Sequence, residues 1–227
     1  MRTIGISATA TAAVVAVIGL SGCGSTVSGV AVAGDISMGA TATAVPSSMT
    51  RPATLEELVA DTAARASGFW RAEGAEGTDT EGVLVTGRLT CNGYVIPGSA
   101  ALFCPGSTVD SVKVDASVLQ QRRERGGDLA VEITVAHEVG HGAHAAEGIR
   151  DSYPTRAAEE LSADCAAGAY LRNANADPLA VERALPFTAL GKDTAEIGLR
   201  ATDRRDAFNA GFTGKTAPMA CLTDYLR

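Results

Sequence analysis

Residues 134–144 of the chain read TVAHEVGHGAH and contain all three histidines of the 227-residue sequence. On an α-helix, residues four positions apart share a face, so His137 and His141 point the same way, one turn apart, and can bind one metal ion. The stretch therefore predicts a metal-binding helix, and its uncharged residues predict that this helix is buried: Thr134, Val135, Val139, Gly140, Gly142 and Ala143.

Glu138 follows the first histidine and completes the motif HExxH, in which two histidines bind zinc and the glutamate acts as a general base. Zinc activates a water molecule, and a nearby carboxylate can take the proton of that water and pass it to the leaving amine of a peptide. Glu138 must stay off the metal to do this. Because a catalytic zinc site has three protein ligands and leaves the fourth position to water, the motif predicts a third ligand elsewhere.

The acidic pair Glu160 and Asp164 provides the candidates for the rest of the site. Eighteen residues separate His141 from Glu160, and Asp164 lies one turn after Glu160 on the same face of a second predicted helix. We expect Glu160 to bind zinc and Asp164 to accept the N–H of a ligand histidine, which fixes the tautomer of that histidine. Small residues allow the second helix to approach the first closely: Ala163, Ala166, Ala167 and Gly168.

Two other side chains near the motif, Glu147 and His144, fit the position of third ligand less well. At about 100° per residue, Glu147 lies about 240° round the helix from His141 and faces away from the metal. His144 shares the face of His137, but at ~1.5 Å per residue it lies about 10 Å further along the helix axis. A glycine three residues after the second histidine would bend the chain back to the metal, and this chain has His144 there.

The first 22 residues have the composition of an export signal. They contain one basic residue, Arg2, no acidic residue, and an apolar run at positions 12–20 that is too short to span a bilayer. The run ends in LSGC, which resembles the bacterial lipobox, so we expect cleavage before Cys23 and acylation of that cysteine. An ordinary cleavage site with an incidental cysteine is the alternative, and it predicts a secreted protein.

Residues 23–53 are rich in Gly, Ser, Thr, Ala and Val, and they predict a flexible tether that starts at the lipidated Cys23. Residues 54–227 then form one domain, large enough to bury a single core. Removing residues 1–22 takes away one of the 19 basic residues and none of the 26 acidic ones, so the mature chain has a net charge of −8. Such a surface repels phosphate groups, which argues against a nucleic-acid partner and leaves the lipid as the membrane anchor.

Four cysteines remain after Cys23, an even number in an oxidising compartment, where disulfides are expected. Three pairings are possible. The simplest joins Cys91 to Cys104 across a short loop and Cys165 to Cys221, which would tie the C-terminal tail to a central helix. A zinc site of four cysteines is disfavoured because the sequence contains no CxxC pair.

The sequence patterns predict an α+β domain that is mostly helical, with a small β-sheet before the HExxH helix. Alternating, β-branched residues at 82–90 and 107–115 predict two strands that bracket the Cys91–Cys104 loop. Helical spacing and capping residues predict a first helix that begins after Thr54, with Glu57 completing a capping box. The chain after Asp115 is predicted to be helical, with Asp128 as a cap, and its helices are predicted at 128–148, 155–174, 177–190 and 202–212.

Several blocks of the sequence, in this order, resemble the bacterial neutral zinc metallopeptidase family: AHEVGH, EELSADCAAGAY, ALGKD and DRRDAFNAGF. The resemblance extends from about residue 84 to residue 221. It implies a zincin-like fold of the gluzincin type, with His137, His141 and Glu160 as zinc ligands, Glu138 as base and Asp164 behind a ligand. The implied function is an exported, lipid-anchored metalloendopeptidase that cleaves peptides or proteins in the bacterial cell envelope.

The chain departs from the family pattern at two positions that do not belong to the ligand set. The family often has glutamine near the position of His144, and Asp-Asp where this chain has Lys192 and Asp193. The residue that stabilises the oxyanion is left open among four candidates, of which Tyr170 is expected in the core and His144 on the helix surface: His144, Tyr153, Arg156 and Tyr170.

Two other functions are compatible with parts of the pattern. A peptide deformylase also uses HExxH, with a cysteine ligand upstream, but it works in the cytosol, whereas this chain carries an export signal and pairable cysteines. A non-enzymatic envelope lipoprotein could keep zinc for stability and bind a partner. Glu138 would be unnecessary in such a protein, so the pattern favours an enzyme.

Overall fold

The computed structural model of the protein describes residues 54–97 and 99–227. The predicted signal peptide, Cys23 and the tether lie outside the described residues. All described residues belong to one compact unit. Its main elements, connected by short 3₁₀ turns, are α1 (Leu55–Glu73), β1 (Thr80–Val85), β2 (Thr90–Cys91), β3 (Tyr94–Val95), β4 (Ala101–Cys104), β5 (Asp110–Asp115), α2 (Ala116–Gly126), α3 (Asp128–Ala146), α4 (Arg156–Asn173), α5 (Pro178–Ala184), α6 (Ala201–Phe212) and α7 (Pro218–Thr223).

The prediction of a mostly helical α+β domain with a small sheet is confirmed. The main sheet has the strand order β1-β5-β4, with β1 parallel and β4 antiparallel to β5. Helices α1 and α3 pack against this sheet and against each other, while α4 packs on the other side of α3 and against α6. Helix α3 therefore lies at the centre of the domain.

The central position of α3 explains its composition. Neighbouring elements cover it on nearly all sides, so a polar face would bury unpaired polar groups. Its buried residues accordingly include three charge-capable side chains, all histidines, in an otherwise small or apolar set: Ala130, Val131, Ile133, Thr134, Val135, Ala136, His137, Val139, Gly140, His141, Gly142, Ala143 and His144.

The helix starts follow the predicted capping residues at α1 but not at α3. Thr54 accepts a hydrogen bond from the Glu57 amide at 3.1 Å, and the Glu57 carboxylate accepts one from the Thr54 amide at 2.8 Å, so the predicted capping box is confirmed. Asp128 is the first residue of α3 rather than its cap. Its carboxylate accepts a hydrogen bond from Arg123 Nε at 2.8 Å, while Gly127, with φ of 73°, makes the sharp entry into the helix.

The segment between Cys91 and Cys104 was predicted as a loop, and this prediction is wrong. It contains the hairpin β2–β3 and most of strand β4, which pairs with β5. Asn92 and Gly93 connect the two hairpin strands with φ of 49° and 84°. A two-residue turn with both φ values positive matches the right-handed twist of a hairpin, and Asn-Gly is the pair that adopts it most readily.

Other differences concern the helical half of the domain. Two helices lie where none was predicted, α2 and α7. The predicted helix at 177–190 ends as α-helix at Ala184 and continues as 3₁₀ turns, because Pro186 has no backbone N–H to donate. The prediction that no strand follows Asp115 holds for the described residues, apart from a single bridge between Thr194 and Leu199.

Helices α4 and α6 touch through their backbones. A Cβ atom on Gly168 would overlap the carbonyl oxygen of Phe208, and one on Gly211 would overlap that of Cys165. Only glycine permits this distance between two helices. The contact brings Arg204 of α6 beside the carboxylates of α4, and Phe208 stacks on Phe212 nearby with ring centroids 5.8 Å apart.

Both predicted disulfides, Cys91–Cys104 and Cys165–Cys221, are confirmed. The second bond attaches α7 to α4, and closing a loop of this length stabilises a domain by about 2–4 kcal/mol. The two bonds indicate an oxidising, extracytoplasmic location. In the described part of the chain, none of the helices has both the length and the apolar composition needed to cross a bilayer.

Candidate metal centre

The structure brings His137 and His141 of α3 together with Glu160 of α4. The two carboxylate oxygens of Glu160 lie 3.3 Å from His137 Nε2 and 3.8 Å from His141 Nε2. One donor atom from each of the three side chains lies within 4.8 Å of the others, so this group could hold a metal ion. Both histidines are buried, and neither Glu138 nor Glu147 belongs to the group.

Asp164 lies behind His137, in the position expected from the sequence. Its Oδ1 is 2.8 Å from His137 Nδ1, within the range of a charge-assisted hydrogen bond. A proton kept on Nδ1 beside Asp164 leaves Nε2, the nitrogen that faces Glu160, as the atom that could bind a metal ion in place of its own proton. Asp164 is fully buried, which excludes the solvated helix face that an isolated acidic pair would otherwise suggest.

Arg204 of α6 holds Asp164 in place. Its Nε and Nη2 donate hydrogen bonds of 2.8 and 2.9 Å to the two oxygens of Asp164, and Nη2 donates a third bond of 3.3 Å to Glu160. The bidentate geometry fixes the plane of the Asp164 carboxylate. Sequence reasoning missed Arg204, although it lies in the block DRRDAFNAGF, because nothing in the local pattern shows which helix it faces.

The electrostatics of the group reflect this arrangement. Burial lowers the pKa of His137, but the charges and hydrogen bonds of Asp164 and Glu160 outweigh burial and raise that pKa to about 10. Burial alone would raise the pKa of Glu160. The hydrogen bond from His137 and the positive charges of His137, His141 and Arg204 outweigh burial, so the pKa of Glu160 lies well below its usual range. Glu160 is therefore an anion that faces two histidine side chains, and a metal ion bound there would replace the proton on His137 Nε2.

A second carboxylate, Glu159, lies beside His141 and was not predicted. Its Oε1 is 3.4 Å from His141 Nδ1 and 3.6 Å from Arg150 Nε. His137 and His141 thus each have a carboxylate near Nδ1, from Asp164 and Glu159 respectively. Each of these two carboxylates lies beside an arginine. Glu159 and Glu160 are neighbours in the chain, and both lie beside His141, Glu159 at its Nδ1 and Glu160 at its Nε2.

His144 is fully buried, so the prediction that it lies on the helix surface is wrong. Its Nε2 is 2.8 Å from Ser162 Oγ, whose single proton is donated to the Cys221 carbonyl at 2.7 Å. His144 is therefore the donor, which leaves its Nδ1 as a buried lone pair. Burial and the charges of His141 and His137 keep the pKa of His144 well below 6.5.

A second group of possible metal ligands consists of His141, His144 and Glu159. It shares His141 with the first group, and Nδ1 of both histidines is buried without a hydrogen-bond partner. Glu147, the other side chain considered from the sequence, is exposed to solvent on the far side of the helix. The structure thus places Glu147 away from the metal group, as its helical angle predicts.

Three of the four oxyanion candidates are occupied by other contacts. Tyr153 donates a 2.6 Å hydrogen bond to the Leu222 carbonyl, and Arg156, which is largely exposed, pairs with Glu160 at 3.4 Å. Tyr170 is 2% exposed, and the expectation that it belongs to the core is confirmed. His144 donates to Ser162 as described above, so Arg156, which is 68% exposed and lines the cleft, is the one of the four that keeps spare donors beside Glu160.

The group formed by His137, His141 and Glu160 opens into a cleft of about 790 Å³. Glu138 lines this cleft together with His137 and His141, and within the described residues its carboxylate forms no hydrogen bond or ion pair. The hairpin β2–β3 and strand β4 form one side of the opening, where Tyr94 is 76% exposed. The arrangement offers an unpaired carboxylate next to a possible metal position, with space for a molecule larger than water.

The site is thus built from three helices: α3 provides the histidines and Glu138, α4 the carboxylates and α6 the arginine behind them. The resemblance of the sequence blocks to neutral zinc metallopeptidases stays a prediction. No protein-family model matches the chain, and the comparisons with curated proteins and with solved structures found no match.

Proposed function

We propose that the protein is an exported zinc metallopeptidase in which Glu138 is the general base. The observation that carries the proposal is the position of Glu138. It lies between two histidines that face a common carboxylate, outside the ligand group, and lines an open cleft. A metal that served only to stabilise the fold would not need an unpaired carboxylate at that place.

The donor set supports zinc as the metal. Zinc is bound by imidazole nitrogens at about 2.0–2.1 Å and carboxylate oxygens at about 2.0–2.2 Å, so donors of a tetrahedral site lie about 3.3–3.5 Å apart. The distances from Glu160 to the two Nε2 atoms, 3.3 and 3.8 Å, are close to this spacing. The group has three side chains, which is the number of protein ligands in a catalytic zinc site.

The residues around the metal position have distinct tasks in the proposed reaction. Zinc supplies Lewis acidity, which lowers the pKa of water towards ~7 and polarises a peptide carbonyl. Glu138 takes the proton of the attacking water and delivers it to the leaving amine. Asp164, 2.8 Å from His137 Nδ1, would keep a proton on that nitrogen and leave Nε2 for the metal, and Arg204 holds Asp164.

A zinc-stabilised lipoprotein without enzymatic activity is the alternative from a different class of function. The buried network of Asp164, Arg204 and Glu160 is consistent with it, since such a network also orders a fold. The cleft beside Glu138 favours the enzyme. The two proposals differ in one measurable property, which is the hydrolysis of a peptide bond.

To test the proposed function, we would purify the chain from residue 24 onward, measure its metal content, and incubate it with an unstructured protein such as casein. We expect about one zinc per chain and fragments that are visible by mass spectrometry. Removing the metal with a chelator should abolish cleavage, and adding zinc should restore it. A zinc-loaded chain that leaves a panel of unstructured proteins intact would contradict the peptidase and favour the stabilised lipoprotein.

We further propose that the mature protein is anchored through an acylated Cys23, which lies outside the described residues. The native chain should then partition into the detergent phase, because several acyl chains bind a bilayer stably. A Cys23→Ser variant should remain in the precursor form. Intact-mass measurement of the mature protein decides the matter, since a chain without lipid mass that begins at another residue is incompatible with the anchor.

A further inference from the structure

Four arginines line the cleft, and one of them differs from the others: Arg122, Arg150, Arg156 and Arg204. Arg150 pairs with Glu159, Arg156 with Glu160, and Arg204 with both Asp164 and Glu160. Within the described residues, Arg122 has no carboxylate within ion-pair distance. Among the four, Arg122 is therefore the arginine that forms no ion pair with a described residue.

Arg122 is held in one position by a single hydrogen bond. It extends from α2 to α3, where its Nη1 donates a 2.8 Å bond to Thr134 Oγ1. The Thr134 hydroxyl proton is itself donated to the Ala130 carbonyl at 2.8 Å, so its oxygen is free to accept. Thr134 is buried and lies one helical turn before Glu138, which positions the guanidinium on the Glu138 side of the cleft.

The guanidinium has donors left to bind another molecule. An arginine carries five N–H donors in a planar fork, and within the described residues Arg122 uses one side of that fork. Its other nitrogens are not among the buried atoms that lack a partner, so they are open to the cleft. A partly buried cation with free donors is typical of a site that binds an anion, and a carboxylate fits the fork with two parallel bonds.

The electrostatics agree with this position. Burial lowers the pKa of Arg122, and the positive charge of Arg204 lowers it further. The negative charge of Glu138 acts in the opposite direction and raises it. The guanidinium nevertheless remains protonated at any physiological pH. It is thus a permanent positive charge beside the proposed base, in surroundings that strengthen its attraction for an anion.

We propose that Arg122 forms a carboxylate-binding subsite of the cleft, beside Glu138. The subsite rests on the proposed peptidase function for its substrate, which is a peptide that places a carboxylate within reach of Arg122. Two sources have this chemistry, namely the side chain of Asp or Glu and the free C-terminus of a peptide. The substrates are therefore peptides with a negative charge close to the cleaved bond.

A different role for Arg122 gives a different result. If the arginine only balanced the charge of Glu138, it would alter the activity of the base and leave the selection of ligands unchanged. The two roles are separated by comparing ligands that differ in one carboxylate. This comparison needs neither a metal ion nor hydrolysis.

The test uses the chain from residue 24 onward in its metal-free form and two pairs of short peptides. Acetyl-Gly-Leu-Glu-amide and acetyl-Gly-Leu-Gln-amide differ in a side-chain carboxylate, and acetyl-Gly-Leu-Gly and its amide differ in a terminal one. NMR titration should show that one charged peptide binds about tenfold more tightly than its neutral counterpart, as expected for a charge-assisted bidentate pair. The pair that shows the preference identifies the source of the carboxylate.

The matched variants are Arg122→Met and Arg125→Met, because Arg125 is an exposed arginine on the same helix. The preference should disappear in Arg122→Met and persist in Arg125→Met. Thr134 keeps its bond to Ala130 in the variant, so no buried hydroxyl loses its partner. Arg122→Lys, which keeps the charge but not the fork, serves as a second variant and should retain only part of the preference.

Equal binding of charged and neutral peptides by the parent chain, or a preference that survives in Arg122→Met, would overturn the subsite. Neither result bears on hydrolysis, which is measured separately with the zinc-loaded chain. A chain that selects carboxylates but cleaves nothing would contradict the peptidase and leave the subsite in place.

Discussion

The Glu138→Gln variant is expected to bind zinc like the parent chain and to hydrolyse substrate about 1,000-fold more slowly, since a positioned general base contributes roughly 10²–10⁴ to the rate. Glutamine keeps the size and polarity of glutamate but cannot take a proton from water. Glu138 lies outside the ligand group and forms no ion pair among the described residues, so its replacement leaves the histidines and Glu160 unchanged. Metal content and initial rates on the same substrate measure the two properties.

The control for this variant is Glu147→Gln, the same change at the exposed position directly after the same helix. It should keep both zinc and activity. A Glu138→Gln chain that cleaves a verified substrate at the parent rate would remove Glu138 from the mechanism. Loss of zinc in that variant would instead make Glu138 a ligand, contrary to its place outside the ligand group.

The second large effect is expected in Glu160→Ala, which should weaken zinc binding by more than about 100-fold. Losing a residue that merely orients a ligand costs 10–100-fold in affinity, so losing a ligand costs more. The structure adds a second reason. Glu160 pairs with Arg204 and Arg156 at 3.3 and 3.4 Å, and without it Arg156 would lose its carboxylate partner while Arg204 would keep only Asp164. Competition with a chromophoric chelator gives the affinity.

Two further alanine variants show whether the effect is specific. Glu147→Ala removes an exposed carboxylate directly after α3 and should leave zinc affinity unchanged. His144→Ala should lower thermal stability, because it breaks a buried hydrogen bond to Ser162 and leaves a cavity, while zinc affinity falls far less than in Glu160→Ala. A Glu160→Ala chain with the affinity of the parent would refute the ligand assignment.

The features that were predictable from the sequence depend on short-range periodicity. A spacing of four residues places His137 and His141 on one face of a helix, and Glu160 and Asp164 on one face of another. The capping box at Thr54 and Glu57 is likewise a local pattern. Cysteine pairing was predictable because few pairings exist and the simplest of them keeps one loop short.

The features that were missed depend on how helices cross. Arg204 reaches Asp164 from a helix forty residues later, and no local pattern encodes that pairing. Glu159 was overlooked because it is one position off the face of Glu160, yet the packing of α4 on α3 brings both carboxylates to His141. His144 was placed on the surface because helices in most domains have a solvent side, whereas α3 is covered on nearly all sides. The hairpin is the exception, since Asn92 and Gly93 form a local turn signal that the prediction passed over.

The backbone contact between Gly168 and Gly211 has a thermodynamic consequence. Because α4 and α6 are in backbone contact at these glycines, and a disulfide attaches α7 to α4, we expect the spacing of Glu160, Asp164 and Arg204 to be set before any metal arrives. The domain should then fold without the ion, unlike small zinc domains that are unfolded without theirs. The measured affinity for zinc should include no cost of ordering the chain. We expect the ion to leave and return while the protein stays folded.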